Sequence, residues 1–183
     1  MKAGVRLSGG ALRGRGLTVP PGARPTEGRV REALFSIWRE RLAGATVLDL
    51  FAGSGAVGLE AAGRGALAAV LVDGDPRAVR TIEANVAQVR PALLGAVVEV
   101  RRLVLPAGLG RLTGPFDLVY AAPPYRFDAH DARLAGVAPL LGRDGEVAIE
   151  HDARSDLPLT EGPLVRVDAR RYGESAVSFY RRG

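Results

Sequence analysis

From residue 46 onward, short apolar runs alternate with stretches whose apolar residues recur every three or four positions. The first pattern marks strands and the second marks amphipathic helices. Strands are expected at 46–51, 68–73, 96–101, 116–121 and 145–150, with helices near 55–64, 76–90 and 129–141. The helix over 76–90 is the clearest. It carries Val79, Ile82, Val86 and Val89 on one stripe, behind Asp75 as a capping acid and Pro76 in the first turn. This alternation predicts a parallel α/β sheet. The tail departs from it: Leu164–Val167 and Ser175–Tyr180 read as two strands joined around Tyr172-Gly173-Glu174, adding antiparallel strands at a sheet edge. Upstream, Val30, Ala33, Leu34, Ile37, Trp38 and Leu42 predict a helix over 27–42 with Thr26 as its N-cap. Ahead of that helix, residues 6–17 are punctuated by glycine and read as a twisted hairpin or a mobile arm.

Composition narrows the picture. At 183 residues and 47% hydrophobic content, the chain suits one compact domain with a small appendage. The division expected is a basic arm or hairpin plus helix over 1–42, then the main domain over 43–183. No secretory signal and no run of eighteen apolar residues is found, so a soluble, cytoplasmic protein without membrane contact is expected. With no cysteine, and with His130 and His151 far apart outside any ligand pattern, no metal is expected. The net charge of +5 is unevenly placed. Residues 1–41 hold nine basic residues against three acids, while the other 142 hold sixteen against seventeen. The whole surplus lies in the N-terminal fifth, which points to a polyanion partner. Arg6, Arg13, Arg15, Arg24, Arg29 and Arg31 are the candidate nucleic-acid contacts; Arg29 and Arg31 fall off the apolar face of their helix.

The most informative chemistry lies in residues 46–58, where an apolar strand passes through Phe51-Ala52-Gly53-Ser54-Gly55 into a helix. Gly53 and Gly55 permit a tight turn and Gly58 a close helix–strand approach, a spacing shared by nicotinamide, flavin and S-adenosylmethionine (AdoMet) sites. Asp49 narrows the choice. A carboxylate four residues ahead of the first glycine would repel a pyrophosphate but suit a ligand bearing a sulfonium and an ammonium. An AdoMet loop is therefore expected. Its partner acid should lie about twenty residues on, at the next strand end, and hydrogen-bond ribose hydroxyls. Asp73 meets that condition, although an acid at a strand end is also compatible with simple solvation.

A second motif closes the fourth strand as Ala122-Pro123-Pro124-Tyr125. Two prolines remove backbone donors and leave rigid carbonyls beside an aromatic ring. A planar base with an exocyclic amine fits such a place, donating to a carbonyl while stacking on the ring. Acceptors that bind the amine hydrogens favour a pyramidal nitrogen and aim its lone pair at a methyl donor, so positioning and electrostatics carry the chemistry.

With these motifs the chain resembles the RsmD family of small-subunit (16S) rRNA guanine-N2 methyltransferases. Four stretches carry the resemblance: residues 6–15, 24–35, 48–61 and 170–180. It implies a Rossmann-like AdoMet-dependent methyltransferase fold, with a mostly parallel seven-stranded sheet, antiparallel C-terminal strands and a small basic N-terminal extension. It further implies that Asp49, Phe51, Ala52, Gly53, Ser54, Gly55 and Asp73 contact AdoMet, and that Arg24, Thr26 and Arg29 lie near the cofactor and RNA entrance. Its catalytic stretch is Ala122, Pro123, Pro124 and Tyr125. The implied partner is 16S rRNA or a small-subunit assembly intermediate, bound by a monomer. Two departures stand out: Ala122 occupies a position where the family carries Asp or Asn, and Arg102-Leu103-Val104 offers no acid where one commonly meets the adenine amine. Two alternatives remain beside this reading. One is an amine methyltransferase acting on adenine N6 or cytosine N4 of DNA; the other is a non-catalytic RNA-binding assembly factor.

Overall fold

The computed structural model describes residues 4–23, 26–93, 95–124 and 134–183. A two-stranded hairpin, β1 (Val5–Arg6) and β2 (Gly16–Leu17), opens the chain, with Val5 opposite Leu17. Helix α1 (Gly28–Ile37) follows, then β3 (Thr46–Leu50), α2 (Ala56–Gly63), β4 (Ala68–Asp73), α3 (Pro76–Val89) and β5 (Val97–Arg102). Next come β6 (Phe116–Ala121), the short α4 (Leu134–Val137), β7 (Leu141–Asp152), β8 (Thr160–Glu161), β9 (Leu164–Tyr172) and β10 (Ser175–Arg182). The main sheet runs in the order β5-β4-β3-β6-β7-β10-β9-β8. Strands β3 to β7 pair in parallel and β8 to β10 antiparallel. The eighth strand, beyond the seven expected, is the two-residue β8 zipped onto the start of β9.

This order places a topological switch at β3. The chain moves outward through β4 and β5, then returns to lay β6 on the other side of β3. Loops diverge there at the strands' carboxyl ends and leave a crevice, the usual ligand position in open α/β sheets.

The core forms on both faces. On one, α1, α2, α3 and the hairpin pack Trp38, Leu34, Phe35, Leu59, Ile82 and Leu12 against the sheet. On the other, Leu48, Leu50, Val119, Val147, Ile149 and Tyr180 form the buried layer. Alternation along β3 therefore sends Val47 to the helical face and Leu48 and Leu50 to the opposite one. Asp49 goes with the helical face, under Gly58 of α2.

Helix α1 ends earlier than its apolar spacing predicts, at Ile37 rather than 42. Trp38 turns inward and donates from Nε1 to the buried Glu146 at 2.8 Å, and the chain then turns toward β3. Phe35 takes the buried place expected for Ile37, which is 39% exposed. Thr26 is not the N-cap: Glu27 occupies that position without a side-chain cap, and the Thr26 hydroxyl is engaged elsewhere. Asp75 and Pro76 start α3 as expected, with the carboxylate accepting from the Arg77 amide at 2.8 Å. Only residues 134–137 of the helix expected at 129–141 are α-helical among the described residues, and β7 already begins at Leu141.

Candidate active site

Strand β3 hands the chain to the glycine loop through a sharp reversal. Phe51 takes φ 59°, Gly53 φ 57° and Gly55 φ 76°, all left-handed. Ala52 donates its amide to Val72 O of β4, and Gly55 closes the turn on Ala52 O at 2.7 Å. Gly58 then lets α2 lie on the sheet: a Cβ there would fall 2.8 Å from Leu71 Cγ and 3.3 Å from Asp49 Cβ.

Asp49 is 2% exposed, and its Oδ2 accepts from the Gly58 amide in the first turn of α2 at 2.9 Å. Burial raises its pKa to about 7; the Gly58 N–H pulls the other way and the nearby Asp73 charge adds to the rise. Asp73, at the end of β4, braces the loop from the other side. Its Oδ2 accepts from the Gly53 amide and its Oδ1 from the Asp75 amide, both at 2.9 Å.

These elements surround a cleft. Of the residues expected at the site, Thr26, Asp49, Phe51, Ala52, Gly53, Ser54 and Ala122 line it. Gly55 sits behind the wall, against Leu71 and Ile82, and Asp73, half-buried at the end of β4, braces the loop beside the cleft. Pro123 is half-buried and Pro124 exposed, next in the chain after Ala122 at the rim. Tyr125 and Arg24 lie outside the described residues.

Four polar residues at or behind the cleft escaped the sequence reading. Tyr120 lines its floor, with its hydroxyl 3.1 Å from Thr26 Oγ1 and donating to Glu150 Oε2. Burial first, and then the Glu150 charge, push the Tyr120 phenol well above its ordinary pKa, so it stays a donor. Asn85 of α3 binds Thr18 O, Ser54 O and the Thr18 amide at 2.9–3.0 Å, tying the glycine loop to the segment after β2. Glu60 of α2 is fully buried and accepts from Arg31, Arg64 and Ser8. No local pattern marks them: Tyr120 lies within the apolar run of β6, Glu150 follows the apolar run Val147–Ile149, and Asn85 sits beside Val86 of the α3 stripe.

The basic arm divides in two. Arg6, Arg13, Arg15 and Arg29 are exposed, Arg6 also donating to Gly14 O at 2.7 Å. Arg31 overturns its expectation as a nucleic-acid contact. It is 2% exposed, because its guanidinium pairs with Glu60 at 2.8 Å and donates to Arg6 O at 2.7 Å. Near the end of β5, Leu103 is buried, and Arg102 and Arg111 flank a second hollow. Among the described residues no cluster of acids and histidines could hold a metal ion, and no helix is long and apolar enough to cross a membrane.

Comparison with known proteins places this architecture. The model of the family described as conserved hypothetical protein 95 matches residues 5–181. The chain belongs to this family, the RsmD family. YlbH of Bacillus subtilis is 33% identical over 97% of this chain and 99% of its own length. Ribosomal RNA small subunit methyltransferase D of Escherichia coli is 40% identical over 124 residues, 67% of this chain and 61% of the relative. Among solved structures, E. coli yhhF superposes with a TM-score of 0.82 at 30% identity, covering 98% of each chain. A hypothetical protein of Thermus thermophilus gives 0.79 at 37% identity, covering 96% of this chain and 98% of its own. This RsmD-family chain therefore has the methyltransferase fold, with its cleft at the switch point and its basic hairpin beside α2.

Proposed function

We propose that this protein transfers a methyl group from AdoMet to the exocyclic 2-amino group of a guanine in small-subunit (16S) rRNA, as a cytoplasmic monomer. The observation that carries the reading is a single cleft into which the glycine loop, Asp49 and the end of β6 at Ala122 all converge. The name of the E. coli relative supports the ribosomal substrate.

The residues present fit AdoMet. A buried carboxylate with a pKa near 7 is costly to ionise alone but ionises readily beside a cation, so Asp49 suits the ammonium or sulfonium end. The left-handed backbone at Gly53 and Gly55 turns the loop away and admits a ligand close to the chain. Asp73 uses each oxygen once on a loop amide, and a carboxylate oxygen has further lone pairs for ribose hydroxyls. AdoMet supplies a methyl group on a positively charged sulfur. The chain's part is to hold a guanine so that its amine meets that methyl in line. Pro123 C=O is the backbone acceptor for an amine hydrogen, the Tyr125 ring is the stacking surface, and Arg6, Arg13, Arg15, Arg24 and Arg29 are the phosphate contacts.

The test is transfer of tritium from labelled AdoMet into small-subunit rRNA isolated from a strain lacking this methylation. Incorporation at one guanine is expected, and background counts would overturn the reading. Duplex DNA in a parallel assay separates the DNA-amine alternative. Because Ala122 offers no side-chain acceptor, a non-catalytic RNA binder is the second reading. It predicts salt-sensitive RNA binding without heat on AdoMet titration.

A further inference from the structure

We propose that Glu150 is the side-chain acceptor for the substrate amine, supplying from β7 the carboxylate that Ala122 at the end of β6 does not. The inference rests on the methyltransferase reading above. Strands β6 and β7 pair in parallel, and their last ladder partners are Ala121 and Ile149. Ala122 and Glu150 are therefore the next residues on adjacent strands. Side chains alternate along a strand, so both lie on the face that carries the paired Tyr120 and Ala148. Tyr120 and Ala122 line the cleft from that face, beside Asp49. Neighbouring strands are only about 4.8 Å apart, and Glu has one more methylene than Asp. Its carboxylate is thus within reach of the space above Ala122 from one strand over.

The carboxylate is also held in place. Tyr120 donates its hydroxyl to Glu150 Oε2, and Thr26 Oγ1 lies 3.1 Å from the same hydroxyl. Tyr120 is 1% exposed, so this bond is shielded from water and fixes Glu150 from below. Glu150 itself is half-buried. A tyrosine buried with its one polar atom aimed at a strand-end acid, at the floor of the cleft, is a positioning device.

The chemistry balances simply. The amine donates its hydrogens to Glu150 and to Pro123 C=O, which localises its lone pair on nitrogen. That pair forms the new N–CH₃ bond while the C–S pair returns to sulfur, leaving S-adenosylhomocysteine as a neutral thioether. The methylated nitrogen then gives one proton to the Glu150 carboxylate, and from there to solvent.

The experiment compares wild type, Glu150→Ala, Glu150→Gln and Ala122→Asp/Glu150→Ala, using steady-state methylation of unmodified small-subunit rRNA together with AdoMet calorimetry and thermal melting. Loss of an acceptor at the transition state lowers kcat about 10–100-fold in Glu150→Ala at a temperature where the variant stays folded, with AdoMet affinity close to wild type and a lower melting temperature, because the buried Tyr120 hydroxyl loses its acceptor. Glu150→Gln keeps an acceptor but takes no proton, so it falls between the two. The double variant recovers kcat by restoring a carboxylate beside Pro123. A merely structural role would lower kcat only in step with unfolding or lost AdoMet affinity, and Ala122→Asp would not repair it. Wild-type kcat in Glu150→Ala, or loss of kcat only in step with unfolding, overturns the assignment. Failure of the wild-type protein to methylate any RNA is a different result: it removes the functional reading itself, and this inference with it.

Discussion

Asp49 is the residue whose environment most directly sets a measurable behaviour. Buried beneath α2 with one amide donor, it holds its proton up to about pH 7. Below that pH the ligand-free protein must release a proton before Asp49 pairs with a cation. AdoMet affinity is therefore expected to weaken as pH falls from 8 to 6, approaching tenfold per pH unit at the acid end. Calorimetry in buffers of different ionisation enthalpy should show proton release. The same shift acts on stability with a definite sign. The folded-state pKa lies above the ordinary carboxylate value, so the contribution is favourable at low pH and is lost as pH rises through about 7. At pH 8 the ionised Asp49 opposes folding. Asp49→Asn keeps an acceptor for Gly58 and is expected to raise unfolding free energy by about 1–3 kcal/mol in urea, while AdoMet binding is lost.

At the scale of elements, the site depends on α3 and α2 as much as on its own loop. Asn85 satisfies both backbone groups of Thr18 and the carbonyl of Ser54 in a buried position. Asn85→Leu leaves those groups without partners and frees the loop from the segment after β2. A loss of about 2–3 kcal/mol in stability is expected, with weaker AdoMet binding beyond what unfolding explains, read by urea titration and calorimetry. Helix α2 holds the hairpin and α1 through Glu60. Burial works against the Glu60 charge, but bonds from Ser8, Arg64 and Arg31 outweigh it and hold its pKa below the ordinary value. Its contribution is thus present above pH 4.5 and lost as pH falls further. Glu60→Gln takes the counter-charge from the buried Arg31 guanidinium, which keeps only the Arg6 and Thr26 carbonyls as acceptors beside a neutral amide, and is expected to cost about 3–5 kcal/mol, detected as a lower melting temperature at pH 7.

For the whole molecule, charge and topology converge on one side. The hairpin packs on α2 through Leu12 against Gly63, where an added Cβ would meet Leu12 at 2.8 Å. Thr26 links the start of α1 to Tyr120 at the cleft floor. The exposed arginines are thereby carried on an arm anchored to the element that shapes the cleft. Replacing Arg13, Arg15 and Arg29 with Ala is expected to weaken RNA binding at moderate salt. The slope of log K against log salt should flatten by about 0.7 for each phosphate charge no longer neutralised, with AdoMet affinity unchanged. Filter binding over a salt series checks this.

The strand–helix alternation, the glycine turn with Asp49 and the N-terminal charge surplus were all legible in one dimension. Each is a local pattern: periodicity, positive-φ residues and charge counting require no partner. The fates of Arg31, Thr26, Tyr120, Asn85 and Glu150 were not legible, because each is decided by a partner far along the chain. Arg31 reads as a free cation until Glu60, 29 residues away, buries it. Thr26 reads as a helix cap until Tyr120, 94 residues away, takes its hydroxyl. Sequence by itself determined which elements form and where a ligand loop lies. Only the tertiary structure decided how the polar groups around the cleft are disposed, because strand register sets Glu150 one strand over from Ala122 and burial sets the protonation of Asp49.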